Sequence, residues 1–149
     1  MKIEVMLNGQ KTAMDCEAGD YLLDVLRRYG CLSVKRGCNT GSCSTCTILM
    51  DMRPVLSCAM LAAKADGHAI TTAEGMQSEL AELADFLAAE GTEQCGYCSP
   101  GLAMTILAMK RELKDPDDSA IRHYLAGNLC RCSGYAGQLR AIRKYLGVK

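Results

Sequence analysis

Ten cysteines in a chain of 149 residues constrain this protein more than any other feature of its sequence. Eight of them form two sets of four, one set in each half of the chain. Cytosolic compartments keep thiols reduced, so a cysteine-rich chain there is more often metal-binding or catalytic than disulfide-bonded. The first residues alternate apolar and polar side chains and lack the long apolar stretch of a signal peptide. We therefore expect a cytoplasmic metal protein, with a disulfide-bonded scaffold as the alternative.

The first set of cysteines has the spacing that is typical of plant-type ferredoxins. Four residues separate Cys38 from Cys43, two separate Cys43 from Cys46, and eleven precede the last member, Cys58. One loop has to fold over a cluster and present three thiolates from the same side, which the glycines of this loop permit. The spacing therefore predicts a 2Fe-2S cluster. A structural zinc ion, which also favours four thiolates, is the alternative.

The second set has a less specific pattern. Cys95 and Cys98 precede a predicted helix, and Cys130 and Cys132 lie between two later ones. Both pairs are thus predicted near helix N termini, whose partial positive charge favours thiolates and an anionic cluster. The first pair alone could be a thioredoxin-like redox pair, but no strand precedes it in the required context.

The remaining cysteines and both histidines are predicted to be structural. Cys16 falls on a strand and Cys31 follows a helix, where free cysteines usually act as small buried residues. His68 and His123 are distant in sequence from both cysteine sets, which argues against a Rieske arrangement with two histidine ligands.

Charge and hydropathy argue against two classes of partner. Seventeen basic and 17 acidic residues give a formal net charge of zero, whereas nucleic acid or an anionic membrane favours a basic excess. The sequence has no run of about 18 apolar residues, so we expect no transmembrane helix. We therefore expect neither nucleic acid nor a membrane as a partner.

The apolar pattern predicts strands in the first half and helices in the second. Alternation from Ile3 to Leu7 leads into Asn8-Gly9, a strong hairpin signal. A helix capped by Asp20 and short strands over residues 47–50, 53–56 and 69–71 follow. The second half has the pattern of four helices, one opened by Ser99 as its N-cap. We predict an α+β fold with domains at residues 1–74 and 75–149.

Three motifs give the chain a resemblance to a known family: Gly37-Cys38-x4-Cys43-x2-Cys46-Thr47, Gln94-Cys95-Gly96-Tyr97-Cys98-Ser99-Pro100-Gly101, and Leu125-Ala126-Gly127-Asn128-Leu129-Cys130-Arg131-Cys132-Ser133-Gly134-Tyr135. The chain resembles the small iron–sulfur subunit of the xanthine dehydrogenase and aldehyde oxidoreductase family of molybdenum hydroxylases. The motifs occur in family order, and the resemblance spans nearly the whole chain.

The resemblance implies a β-grasp, ferredoxin-like N-terminal domain and a C-terminal four-helix bundle domain, each with a 2Fe-2S cluster. It implies that the cluster proximal to molybdenum is held by Cys95, Cys98, Cys130 and Cys132. It implies that the distal cluster is held by Cys38, Cys43, Cys46 and Cys58. Gln94 and Cys132 are implied to lie at the molybdopterin of a partner subunit.

The resemblance also implies partners, since the sequence contains no recognisable nicotinamide, flavin or nucleotide-binding motif. A molybdopterin-binding large subunit would supply electrons, and an FAD-binding medium subunit would receive them. A purine such as xanthine is the first expected substrate of the complex, followed by nicotinate-like heterocycles and aldehydes. A zinc-stabilised interaction module without a redox role is the alternative of another class.

Three positions depart from the usual pattern of the family. Ser44 and Thr45 stand where Gly-Ala is common, and Met52 stands where a glycine often follows the aspartate. All eight predicted ligands are retained. We hypothesise that a hydroxyl of Ser44 or Thr45 donates to a cluster sulfur and raises its reduction potential.

Overall fold

The computed structural model describes residues 1–148 and contains one five-stranded sheet and five α-helices. The strands are β1 Lys2–Leu7, β2 Gln10–Asp15, β3 Thr47–Met50, β4 Arg53–Leu56 and β5 Ala69–Thr71. The α-helices are α1 Leu22–Arg28, α2 Gln77–Ala89, α3 Ser99–Glu112, α4 Asp118–Tyr124 and α5 Ala136–Leu146. The α+β prediction is confirmed.

Two hairpins and one parallel pair build the sheet, in the order β2-β1-β5-β3-β4. β1 and β2 pair antiparallel around Asn8-Gly9, and β5 then pairs parallel to β1 and antiparallel to β3. The β3–β4 turn places Asp51 and Met52 at φ +48° and +66°. Two consecutive positive φ angles match the twist of a two-residue hairpin, and they explain why glycine is favoured where Met52 stands.

The helix α1 covers the sheet with one apolar side. Its residues Leu22, Leu23, Val25 and Leu26 are buried, and they share a core with the inward residues of β1 and with the buried Cys16 and Cys31. Asp20 was wrongly predicted as the N-cap, because Tyr21 occupies that position. The Asp20 carboxylate instead accepts a hydrogen bond from the Glu17 N–H and pairs with Arg28.

The second half contains four consecutive helices. Asp117 caps α4 by accepting a hydrogen bond from the Ala120 N–H at 2.7 Å. Ser99 was wrongly predicted as an N-cap: Cys98 holds that position, and the Ser99 hydroxyl donates to Glu93. The start of α3 therefore lies directly at a candidate ligand. The predicted end of the second domain, Lys149, lies outside the described residues.

The two halves pack against each other through α3 and β3. Leu49 of β3 belongs to the helical core, which centres on the buried residues of α3. No helix within residues 1–148 combines the length and apolar character needed to cross a membrane.

The connection between the halves is held by the Glu74 carboxylate. It accepts hydrogen bonds from the Ser33 N–H at 2.8 Å, from the Ser33 hydroxyl at 2.6 Å and from the Thr72 hydroxyl at 2.5 Å. Burial raises the pKa of Glu74, but these hydrogen bonds outweigh burial and lower it overall. The charged form of this carboxylate is therefore favoured by the fold.

Candidate iron–sulfur sites

The first cysteine set gathers at the end of the sheet between α1 and β4. Cys38, Cys43 and Cys46 lie on the long loop that precedes β3. Cys58 lies in a 3-10 turn, Ser57–Ala59, directly after β4. This turn brings its Sγ to 3.2 Å from the Cys46 Sγ. Four residues that are distributed over 21 positions are thus brought to one place by the loop and the β3–β4 hairpin.

Backbone amides and hydroxyls face the sulfurs of this set. The backbone N–H of Thr40 is the strongest of several hydrogen-bond donors that lower the pKa of Cys38 to about 5. Burial, reinforced by the neighbouring Cys46 sulfur, raises the pKa of Cys58 to about 12. Hydrogen bonds in the exposed loop thus favour the thiolate of Cys38, whereas burial in the turn after β4 disfavours the thiolate of Cys58.

Thr45 is the hydroxyl nearest to a ligand candidate in this loop. Its Oγ1 lies 3.3 Å from the Cys43 Sγ and donates to the Lys35 carbonyl at 3.1 Å. Ser44 instead adopts φ +58°, a conformation that glycine occupies readily. Of the two hydroxyls, that of Thr45 is the one in contact with a candidate ligand, and it can donate to the Cys43 sulfur only by giving up its hydrogen bond to the Lys35 carbonyl.

The second cysteine set lies where α3 and α5 begin. Cys98 is the N-cap of α3, and Cys130 and Cys132 lie on the loop between α4 and α5. The Cys95 and Cys132 Sγ atoms are 3.6 Å apart, and Cys130 lies near enough to Cys98 to raise the pKa of that thiol together with burial. Both pairs lie close to helix starts, as the sequence predicts.

Hydrogen bonds from the backbone converge on the Cys130 sulfur. It accepts from the N–H groups of Cys132 and Ser133, both at 3.4 Å. Burial raises the pKa of Cys130, but donors from Ser133 and Cys132 outweigh it and lower the pKa to about 7. Burial raises the pKa of Cys98 to about 11. A metal is needed to hold the more buried member as a thiolate.

Tyr135 holds the turn that carries Cys130 and Cys132. Its hydroxyl accepts a hydrogen bond from the Cys130 N–H at 3.0 Å. It occupies a left-handed conformation, φ +68°, which is unusual for a bulky residue. Strained residues of this kind cluster at functional sites, and here the strain accompanies a direct contact with a candidate ligand.

The two cysteine sets meet at one open cavity of about 500 Å³, which is lined by members of both sets. The Leu129 N–H donates to the Cys43 carbonyl at 3.2 Å, so a backbone hydrogen bond joins the two ligand loops. Tyr97 adds a second link, since its hydroxyl donates to the Arg36 carbonyl at 2.9 Å. The loops are therefore held directly against each other.

Gly101 allows this close approach. A Cβ at this position of α3 would lie 2.3 Å from the Ser44 carbonyl oxygen and 2.8 Å from the Thr45 Cα. Because both are backbone atoms, neither can turn aside as a flexible side chain could. A residue without a side chain is required where the helix crosses the first ligand loop.

The thiol geometry fits 2Fe-2S clusters. Such a cluster has two irons and takes four cysteine thiolates. In each set two sulfurs lie side by side, those of Cys46 and Cys58 in the first set and those of Cys95 and Cys132 in the second. None of the ten cysteines forms a disulfide, so the structure gives the disulfide alternative no support. Within residues 1–148, no three His, Cys, Asp or Glu side chains surround a single ion position.

The predicted pterin-facing residues lie on the outside of the molecule. Gln94, Cys95 and Cys132 are exposed. Neither histidine joins a cysteine set, since His68 pairs with Asp51 of the β3–β4 turn and His123 is exposed on α4. Sequence reasoning did not identify Tyr135 as a contact of Cys130. The sequence places Tyr135 in the third motif, but it does not indicate that the backbone of this residue is left-handed.

Two families match adjacent parts of the chain. Residues 5–70 match the 2Fe-2S iron-sulfur cluster binding domain, and residues 72–143 match the [2Fe-2S] binding domain. The nicotinate dehydrogenase small FeS subunit of Eubacterium barkeri is 40% identical, covering 95% of this chain and 92% of that protein. The chain belongs to the family of small iron–sulfur subunits of the xanthine and nicotinate dehydrogenases.

Other members of this family support the same relationship. The xanthine dehydrogenase iron-sulfur-binding subunit of Escherichia coli is 43% identical, covering 89% of this chain and 86% of that protein. In the crystal structure of quinoline 2-oxidoreductase from Pseudomonas putida 86, one chain is similar with a TM-score of 0.89 and 36% identity. That similarity covers 95% of this chain and 90% of the other. The zinc alternative has no comparable support.

Proposed function

We propose that this chain is the electron-transfer subunit of a molybdopterin-dependent hydroxylase. In this proposal it passes electrons from a molybdopterin-binding large subunit to an FAD-binding medium subunit. The observation that carries the proposal is the hydrogen bond between the Leu129 N–H and the Cys43 carbonyl, which joins two cluster-type cysteine sets. Electron tunnelling weakens steeply with distance, so adjacent ligand loops favour transfer between the sets.

The proposed ligands follow the two structural groups. The first, distal cluster is assigned to Cys38, Cys43, Cys46 and Cys58. The second, proximal cluster is assigned to Cys95, Cys98, Cys130 and Cys132. When bound, each cluster accepts and releases one electron. The chain contributes N–H donors at the sulfurs, which offset negative charge, and a buried inner wall, which limits access of water.

The exposed end of the second set is proposed to face the molybdopterin subunit. Cys132 and Gln94 lie at the surface beside Cys95, where a partner can reach them. A carboxamide has both donors and an acceptor, so Gln94 suits the polar edge of a pterin. The direction of transfer, from the second set to the first, rests on this placement.

The two halves are proposed to act as domains, at residues 1–74 and 75–149. The main core of the first half and the helical core of the second support this division, although Leu49 crosses it. We infer that the first domain is a β-grasp and that α2 to α5 form a four-helix bundle. The ten free thiols support a cytoplasmic location, where thiols stay reduced.

A purine such as xanthine is the proposed substrate of the complex. The relatives named as xanthine and nicotinate dehydrogenases support a nitrogen heterocycle, and nicotinate-type compounds and aldehydes follow in order. The substrate would bind on the large subunit. Turnover of xanthine, nicotinate and an aldehyde by the purified complex separates these cases.

The test of the function is purification of the complex from its native host, followed by metal analysis and EPR of the reduced protein. We expect about four irons and four sulfides per chain, two distinct signals, and molybdenum and flavin in the same complex. Cys46→Ser should remove one signal and Cys95→Ser the other, whereas the matched variant Cys16→Ser should keep both. Zinc in place of iron, or a chain without such partners, would contradict the proposal.

A further inference from the structure

Gln138, near the start of α5, is a buried polar residue that the proposed function does not use. Only 7% of its surface is exposed. Among residues 1–148, no side chain or backbone group forms a hydrogen bond with its carboxamide. No fully buried polar side-chain atom in this range lacks a partner, so the carboxamide keeps a small contact with solvent through the adjoining cavity. The donors of this nearly buried amide therefore meet only solvent, which leaves them available to a nearby acceptor.

The surroundings of Gln138 point to sulfur as the missing partner. Gln138 lines a narrow space together with Cys43, Cys98 and Cys130, at the point where the two ligand loops cross. The other amide in this wall, Asn128, already donates to the Thr105 hydroxyl at 3.1 Å. Asn128 thus uses one of its two N–H donors, whereas both donors of Gln138 lack a protein partner.

The chemistry of a bound cluster supplies what the carboxamide lacks. Cysteine thiolates that hold iron carry negative charge and can only accept hydrogen bonds, and the glutamine amide has two N–H donors. Hydrogen bonds to the sulfurs are one of the factors that set the reduction potential of a cluster. A donor stabilises the reduced form more because that form carries the additional negative charge.

We propose that Gln138 donates a hydrogen bond to a thiolate sulfur of the Cys98–Cys130 pair and raises the reduction potential of the second cluster relative to the first. This inference rests on the proposed function. On its other side, Gln138 lines an apolar cavity of about 290 Å³. The competing explanation is therefore that a polar group of a partner subunit enters this cavity and pairs with the carboxamide.

The test is a redox titration of the purified complex, monitored by EPR, for Gln138→Leu and wild type. Leucine keeps the approximate size and removes the donors. We expect the ratio of reduced to oxidised second cluster at a fixed potential to fall about tenfold, which is about 59 mV for one electron, the scale of one hydrogen bond to a charged group. The first cluster should be unchanged. Leu139→Met, which alters the same cavity without removing a donor, should shift neither potential.

Pulsed EPR after exchange into D2O gives a second measurement that does not depend on stability. Wild type should show an exchangeable deuteron coupled to the second cluster, and Gln138→Leu should lose it. If both reduction potentials are unchanged and Gln138→Leu is more stable than wild type, the amide only destabilises the fold and the inference is wrong. If the reduction potentials are unchanged but the subunits of the complex associate more weakly, the amide binds a polar group of a partner subunit, and the inference is again wrong.

The iron content shows whether a negative result contradicts only the role of Gln138 or also the proposed electron-transfer function. Two clusters with unaltered potentials in Gln138→Leu contradict only the role of Gln138. A wild-type chain that binds no iron at the second cysteine set contradicts both. Gln138→Met, which also lacks N–H donors, replaces the leucine variant if that variant does not fold, and the same shift is expected.

Discussion

The contact of Gly101 with the first ligand loop makes a strong prediction for Gly101→Ala. The added Cβ would lie 2.3 Å from the Ser44 carbonyl oxygen, 2.8 Å from the Thr45 Cα and 3.0 Å from the Thr45 carbonyl carbon. Real Cβ atoms essentially never come closer than 3.0 Å to such atoms, and two of the three distances are shorter. Either α3 or the loop has to move, and both carry candidate ligands.

Two opposing effects set the expected magnitude. Alanine is favoured over glycine inside a helix by about 1 kcal/mol. Overpacking against rigid atoms costs roughly 1–3 kcal/mol, and three backbone contacts place this site at the upper end. We therefore expect Gly101→Ala to lower the free energy of unfolding by about 2 kcal/mol, which is about 6 °C in Tm for a chain of this size.

Thermal unfolding followed by circular dichroism, at equal iron content, measures this effect. Gly137→Ala is the matched control, because Gly137 is also helical but its added Cβ would meet its nearest atoms only at 3.2 Å. The control should stay within about 1 °C of wild type, since a small contact penalty offsets the helix preference. If Gly101→Ala is as stable as the control and has wild-type EPR signals, the inferred close packing of helix and loop is wrong.

Three further changes test individual contacts. Thr45→Val tests whether the hydroxyl 3.3 Å from the Cys43 Sγ turns from the Lys35 carbonyl to that sulfur when the first cluster is bound; in that case the potential of this cluster, measured by redox titration, should fall by about 40 mV for ~1 kcal/mol. Tyr135→Phe removes the acceptor of the Cys130 N–H and should alter the EPR signal of the second cluster while lowering stability by about 1 kcal/mol, measured by thermal unfolding. The pKa of Glu74 is lower in the folded protein than its ordinary value of 4.5, so the charged carboxylate stabilises the folded state above pH 4.5. This stabilisation is lost as the pH falls through the lower pKa of the folded state. Glu74→Gln should therefore make the free energy of unfolding, measured by urea unfolding, depend less steeply on pH in this acidic range.

Controls for these changes come from the same chain. Thr12→Val removes an exposed hydroxyl remote from the cysteines and should leave both potentials unchanged. Tyr29→Phe removes a comparable hydrogen bond, in which the Asp15 N–H donates to the tyrosine hydroxyl, but far from the second set. If Tyr29→Phe and Tyr135→Phe alter the EPR spectrum equally, the specific role of Tyr135 is refuted. An unchanged acid slope in Glu74→Gln would show that the carboxylate does not stabilise the junction.

Several elements could be predicted from local sequence because their causes are local. The Asn8-Gly9 hairpin, the Asp51-Met52 turn and the Asp117 cap depend on the residues immediately around them. The caps assigned to Asp20 and Ser99 were wrong for a tertiary reason. Each side chain has another partner, Arg28 for the first and Glu93 for the second.

The sequence by itself determined the two cysteine sets, the α+β class and the family, because spacing and periodicity are recorded along the chain. Only the tertiary structure decided that Leu129 bonds to Cys43, that α3 crosses the loop at Gly101, and that the Gln138 amide is nearly buried without a protein partner. These contacts join residues that are far apart in sequence. They depend on how helices and loops pack in three dimensions, which no local pattern specifies.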